Sequence, residues 1–174
     1  DGACRIGGMM DRVKELGQDA IALTDHGVMY GCIDFYKAAK AAGVKPIIGC
    51  EVYVTPPGRT RFDKVHEFDA ESRHLVLLCE NEEGYRNLSY MVSMAWTEGF
   101  YIKPRIDLAL LKKHSKGLIA LSACLAGEIP KRLRNGEYEN AKNYALQMSE
   151  IFGPDRFYLE IQDHGIRDQA IVNQ

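Results

Sequence analysis

The run Ala20–Gly27, AIALTDHG, carries four apolar residues straight into Thr24, Asp25 and His26. A buried strand that ends this way delivers a carboxylate and an imidazole to the rim of a core, where α/β proteins keep their chemistry. An Asp-His pair alone serves equally well as a turn or a cap, so the weight falls on what else reaches the same place. Glu51 stands inside the apolar run Lys45–Val54, flanked by Cys50 and Val52, and a charge buried there must be paired or metal-bound. Cys124 follows the run Gly117–Ser122, Asp163 and His164 follow Arg156–Ile161, and His74 begins the run His74–Cys79. Histidine, glutamate and cysteine together offer borderline nitrogen, hard oxygen and soft sulfur. That mixture suits zinc, manganese or iron better than calcium or magnesium alone. Two or three such ions side by side can activate a water and clamp a phosphate for in-line displacement. Bland readings stand beside these: His74 as a rim histidine, Cys124 as a small buried residue, and Asp163-His164 before Gly165 as a turn and helix cap.

Only certain elements could gather these groups. Parallel strands bring their C-terminal ends to one face, and the chain alternates strand-like and helix-like segments almost throughout. Helical spacing marks Arg5–Leu16, Tyr30–Ala42, Glu82–Trp96, Leu108–Lys113 with Asp107 as its cap, Glu128–Arg134, Tyr138–Phe152 and the segment from Ile166. The segments between strands are too long for hairpins, which points to crossovers and parallel pairing. His74 fits this scheme only if the chain reverses across residues 55–72. His74–Cys79 then runs antiparallel to the strand holding Glu51, and its first residue lies where the others finish. Residues 55–72, polar and bearing Pro56, Pro57 and Gly58, are expected to form a mobile surface loop. Phe100–Arg105 (FYIKPR) is expected to be a loop held by Pro104. His66 and His114 are expected at the surface. No repeat or linker is visible, so one domain over residues 1–174 is the simplest account.

Composition narrows the class. With 174 residues, 46% hydrophobic and 26% charged, the chain has the make-up of a soluble globular domain. No apolar run approaches the roughly 20 residues of a membrane helix. A formal charge of −2 excludes a strongly basic, whole-surface nucleic-acid binder while leaving room for a local basic groove. The five scattered cysteines include no CxxC pair, which argues against a disulfide framework and for a reducing, cytoplasmic setting. The chain opens at Asp1 without methionine and stops within a helix-like segment, so a piece cut at both ends is expected.

Five ordered motifs, LTDHGVMYGCIDFYKAAKAAGVKPIIGCEVYV, RHLVLLCENEEGYRNL, YIKPRIDLALL, LSACLAGEIP and FYLEIQDHG, together resemble the polymerase and histidinol phosphatase (PHP) domain. They are most similar to the form that opens bacterial replicative DNA polymerase III alpha subunits, and the resemblance covers essentially the whole chain. It implies a distorted (β/α)7 barrel, with a di- or trinuclear cluster of divalent metal (zinc, manganese, iron or magnesium) at the C-terminal mouth. By matching motifs it implies metal ligands at Asp1, His26, Glu51, His74 and Cys124. Asp25 is implied as an orienting partner beside His26 and Glu51 at the catalytic centre, and Asp163 and His164 as outer support. Lys103 and Arg105 could contact a nucleic-acid backbone, or be solvated loop charges. The family's His-x-His and late Asp-x-His do not occur in the chain, so an incomplete barrel and cluster are expected.

The activity implied is metal-dependent phosphoester hydrolysis, which in polymerases would be a 3′–5′ exonuclease acting on the primer 3′ end. The implied partners are DNA, the remainder of the polymerase alpha subunit and other replisome subunits, including a separate proofreading exonuclease, with no membrane involved. Two other readings compete. One is an inactive scaffold that stabilises the polymerase or docks an exonuclease subunit; the other is a free-standing small-molecule phosphatase such as histidinol phosphatase. Ligand-competent residues at every checkable position favour the active form, and the length of the matches disfavours the free-standing one.

Overall fold

A computed structural model describes residues 3–174; Asp1, one of the expected ligands, lies outside the described residues. Seven strands form one sheet among the described residues. They are β1 (Ala20–His26), β2 (Lys45–Val54), β3 (Arg73–Cys79), β4 (Phe100–Tyr101), β5 (Lys103–Ile106), β6 (Leu118–Leu121) and β7 (Phe157–Tyr158). The helices are α1 (Ile6–Glu15), α2 (Cys32–Ala42), α3 (His66–Asp69), α4 (Glu82–Thr97), α5 (Leu108–Lys113), α6 (Glu128–Arg134), α7 (Tyr138–Phe152) and α8 (Arg167–Val172).

The longest strand, β2, is the hub. β1 lies parallel along one edge of it and β5 continues that edge in parallel at Tyr53 and Val54, while β3 lies antiparallel on the other edge. β6 is antiparallel to β3 and parallel to β7. β3 therefore runs against its neighbours, as the expected reversal across 55–72 requires. The fold is mixed α/β, and among the described residues the sheet is open, with β1 pairing only β2 and β7 pairing only β6. The strand expected over Arg156–Ile161 shrinks to two residues for a local reason. Ser122 N donates to Tyr158 O at 3.0 Å, but Glu160 N then donates to the Ser122 hydroxyl at 2.8 Å, and a side chain replaces the next rung of the ladder.

Two apolar clusters hold the layers. Met10 and Val13 of α1 and Phe35 and Ala39 of α2 pack with Val44 on one side of the sheet. The larger cluster joins β2, β3 and β6 to α4, α5 and α7 through Val52, Leu77, Leu88, Met91, Leu111 and Met148, among others. Leu88, Met91 and Ala95 recur at helical spacing on the buried side of α4. The start of that helix is fixed by Asn81, whose side chain accepts from Gly84 N at 3.0 Å, a cap that stabilises a helix by about 1 kcal/mol. Asp107 caps α5 as expected, accepting from Leu110 N at 2.8 Å.

Three expectations need correction. Phe100–Arg105 is not a loop: β4 and β5 form a tight hairpin with Ile102 at its tip, at a φ of 62°. Residues 55–72 are anchored rather than free. Asp69 is fully buried and takes both Arg59 nitrogens at 2.8 and 2.6 Å, which hold its carboxyl below the usual carboxylate range. Arg61 bridges Glu98 at 2.7 Å and Asp107 at 3.0 Å. Polar residues that suggested solvation are instead paired, Arg59 with Asp69 inside the segment and Arg61 with acids outside it. His114 is half-buried, with its ring 4.6 Å from that of Tyr90 and its Nδ1 3.2 Å from Asn87 Oδ1.

Candidate metal centre

Register and alternation decide which side chains meet. His26 pairs with Glu51 across the parallel β1–β2 ladder, so the two share a face. In the antiparallel ladder Tyr53 pairs with His74. Tyr53 lies two residues beyond Glu51, so His74 falls diagonal to Glu51 on that same face. The fourth group comes from the turn after β6. There Ala123 adopts a φ of 62°, Gly127 N closes the turn on Cys124 O at 2.8 Å, and Ala126 O accepts from His74 N at 3.1 Å. That last bond ties the cysteine's turn to the first residues of β3.

One carboxylate oxygen is the focus. Glu51 Oε1 lies 2.8 Å from His26 Nδ1 and 3.1 Å from His74 Nδ1, and Cys124 Sγ lies 3.5 Å from the same His74 nitrogen. One ligand atom each from Glu51, His74 and Cys124 falls within 4.8 Å of the other two. The Glu51 side chain is 12% exposed, that of His74 26% and that of His26 47%, so exposure rises from the carboxylate toward His26.

The electrostatics are those of anions sharing a cation. The Cys124 sulfur and Glu51 carboxylate outweigh burial and raise the His74 imidazole to about 9. In return His74 lowers the Cys124 thiol against its burial. Burial pushes Glu51 up, but hydrogen bonds from His74 and His26 prevail and hold it below its ordinary value. By contrast Cys50, buried next to Glu51, is pushed up to about 12, chiefly by desolvation, and stays a neutral thiol. The donor set therefore fits a divalent ion. Ligand atoms on one tetrahedral zinc lie about 3.5 Å apart, near the 3.1 Å between Glu51 and His74 and the 3.5 Å between His74 and Cys124.

Gly27 explains why the first strand ends as it does. Its φ is +69°, and a Cβ there would stand 2.8 Å from Tyr53 Cε2 and 3.0 Å from Pro104 Cγ. The backbone must turn left-handed immediately after His26 with aromatic and proline rings against it, which only glycine does without strain. Gly27 O also accepts from Trp96 Nε1 at 2.9 Å.

The structure gathers His26, Glu51, His74 and Cys124 and leaves other expected groups elsewhere. Asp25 points to the opposite face of β1 from His26, where its Oδ2 accepts from Gly31 N at 3.1 Å and shapes the turn into α2. Asp163 and His164 are exposed. Asp163 accepts from Gly165 N at 3.2 Å and His164 Nδ1 meets Gln169 Nε2 at 2.9 Å, so the turn-and-cap reading describes their contacts. Arg105 is fully buried. It donates to the carbonyls of Gly99, Asp69, Arg61 and Asp63 at 3.1, 3.3, 3.3 and 2.8 Å, and no nucleic acid can reach it. Lys103 is exposed, with its ammonium 5.2 Å over the Tyr53 ring. Tyr53 went unnoticed in the sequence. Its ring stands edge-on to His74 at 5.2 Å, and the signal was its place two residues after Glu51.

The chain matches the PHP domain over residues 1–164, and it belongs to that family. It is 47% identical over 174 residues to DNA polymerase III subunit alpha of Borreliella burgdorferi, across 100% of this chain and 15% of that protein. It is 45% identical over 173 residues to the subunit of the same name from Treponema pallidum, across 99% and 15%. The chain thus spans about 15% of the length of these curated relatives. Among solved structures, an amidohydrolase of Chromobacterium violaceum superposes with a TM-score of 0.40 at 23% identity, over 55% of this chain and 29% of that one.

Proposed function

We propose that this chain is the PHP portion of a bacterial replicative polymerase alpha subunit, and that its cluster hydrolyses phosphodiesters at the 3′ end of a DNA primer. The observation that carries the reading is the convergence of Glu51, His74 and Cys124 within 4.8 Å, with His26 on the same carboxylate oxygen. The likeness to polymerase alpha subunits along the whole chain supports a nucleic-acid substrate.

In this reading Glu51, His74 and Cys124 hold one divalent ion, and His26 with Glu51 contributes to a second. Asp1 is assigned by its motif alone. Such ions supply a Lewis acid that lowers the pKa of water and offsets charge on the phosphate. The chain's own residues prepare that chemistry. Strand register holds Glu51, His26 and His74 on one face of the sheet, so the three side chains are positioned for a shared ion before substrate arrives. Tyr53 walls one side of His74, and the open His26 side is where the substrate enters. The donor mixture favours zinc, manganese or iron. The proposed partners are DNA, the rest of the alpha subunit and other replisome subunits. The proposed setting is the cytoplasm, where the five cysteines, all free here, remain reduced.

The test is primer-end removal by the whole alpha subunit. Chelation should abolish release of 3′ nucleotides, zinc or manganese should restore it, and His74→Ala should prevent the restoration. Release that survives both chelation and His74→Ala would place the activity elsewhere and leave this chain a scaffold.

A further inference from the structure

We propose that the groove between the β4–β5 hairpin tip and α6 is a track for the phosphates of a single nucleic-acid strand, and that Lys103 grips the phosphate next to the one being cleaved. The identity of the strand rests on the phosphodiesterase reading above; the groove and its charge stand on their own. The groove holds about 550 Å³, within the roughly 300–1,000 Å³ of ordinary ligand sites. It lies beside the cluster: Leu125 and Ala126, of the turn that carries Cys124, form part of its wall, and Ala126 O accepts from His74 N at 3.1 Å. Arg73, Lys103, Lys131 and Arg134 line it against one acid, Glu71, in a chain whose net charge is −2.

These cations are not equivalent. Arg73 is committed to buried Glu128 at 2.7 Å, Lys131 to Glu71, and Arg134 to Asp168 at 3.1 Å. Lys103 makes no ion pair among the described residues. Its ammonium lies over Tyr53, and Tyr53 in turn touches His74, so an uncompensated cation is held one ring away from the ligand cluster. The hairpin that presents it is rigid. Buried Arg105 pins it from beneath, Pro104 abuts Gly27, and Phe100 stacks on Trp96 at 5.4 Å. At the tip Ile102, a β-branched residue, is held at a φ of 62° while 53% exposed. Strain of this kind persists only where the surroundings over-determine it, and it gathers at binding sites. An exposed apolar side chain next to a lysine with no ion pair among the described residues offers a base and its phosphate adjacent contacts. A monoester would need only the cluster; a lysine set beside it, outside the ligands, matches a substrate that carries a second phosphate next to the scissile one.

The experiment uses the whole alpha subunit with Ile102→p-benzoylphenylalanine, irradiated with a labelled single-stranded oligonucleotide in the presence of chelator. The strand should crosslink at position 102. Adding Lys103→Gln should lower the yield about fivefold and reduce the salt slope of binding by about 0.7, whereas Lys103→Arg should retain it. No crosslink, or equal yields across the variants, overturns the track. The two readings separate cleanly. Crosslinking without metal-dependent nucleotide release leaves the track standing and sinks the phosphodiesterase, and release without crosslinking does the reverse.

Discussion

Arg105→Met should loosen residues 59–70 without unfolding the protein. The guanidinium is wholly enclosed and donates four hydrogen bonds to carbonyls, three of them on residues 61, 63 and 69. Hydrogen bonds from a charged donor contribute about 1.5–3 kcal/mol each. Their sum overstates the loss, because burial already disfavours the charged arginine and lowers its pKa, and freed carbonyls near the surface can take water. A net cost of about 3 kcal/mol, at the lower end for breaking a buried charged contact, is the reasonable figure. At about 1.4 kcal/mol per decade, amide hydrogens protected by the 59–70 segment should exchange about 100-fold faster. Hydrogen–deuterium exchange read by mass spectrometry on the intact protein measures this directly. Arg105→Lys should fall between the two, since one ammonium cannot serve four carbonyls. Exchange in 59–70 that changes less than about threefold (under ~1 kcal/mol) would refute the anchoring role.

Gly27→Ala should cost about 1–2 kcal/mol from its left-handed backbone alone. Pressure on Tyr53 and Pro104 should add to this and weaken metal binding, measured by competition with a chromogenic chelator; unchanged affinity would detach Gly27 from the site. Acid should release the 59–70 segment. Asp69 sits below its ordinary value because Arg59 binds its carboxylate, so its contribution is complete above about pH 4 and is lost as pH falls through the lower folded value. Exchange in that segment should be flat from neutral pH to about 5, after correction for intrinsic rates, and should rise below about 4; a rise centred near neutrality would contradict the assignment.

Much of this architecture is written in apolar runs that end in polar residues. The bounds of β2, α5, α6 and α7 follow from their spacing, and the reversal of β3 follows from asking how His74 could join a face where the other strands finish. Other features depend on contacts distant in sequence. Arg105 looks like a loop charge because nothing in FYIKPR announces that carbonyls from residues 61, 63 and 69 will surround it. Asp25 sits next to His26 in the chain, yet the pleat sends it to the opposite face of β1. Tyr53 lies two residues from Glu51 and hence beneath the site, but an aromatic in an apolar strand reads as core. The polar stretch 55–72 suggested solvent, while Arg59 pairs with Asp69 within it and Arg61 with Glu98 and Asp107 far along the chain.

The central claim is that Glu51 is the hub of a metal site, and metal content tests it most directly. Glu51→Gln keeps the shape of the side chain but removes the charge toward which His26 and His74 both turn. The purified alpha subunit should carry bound zinc, manganese or iron by elemental analysis, and the Glu51→Gln variant should lose it together with 3′-nucleotide release. Full metal content and undiminished release in that variant would contradict the account.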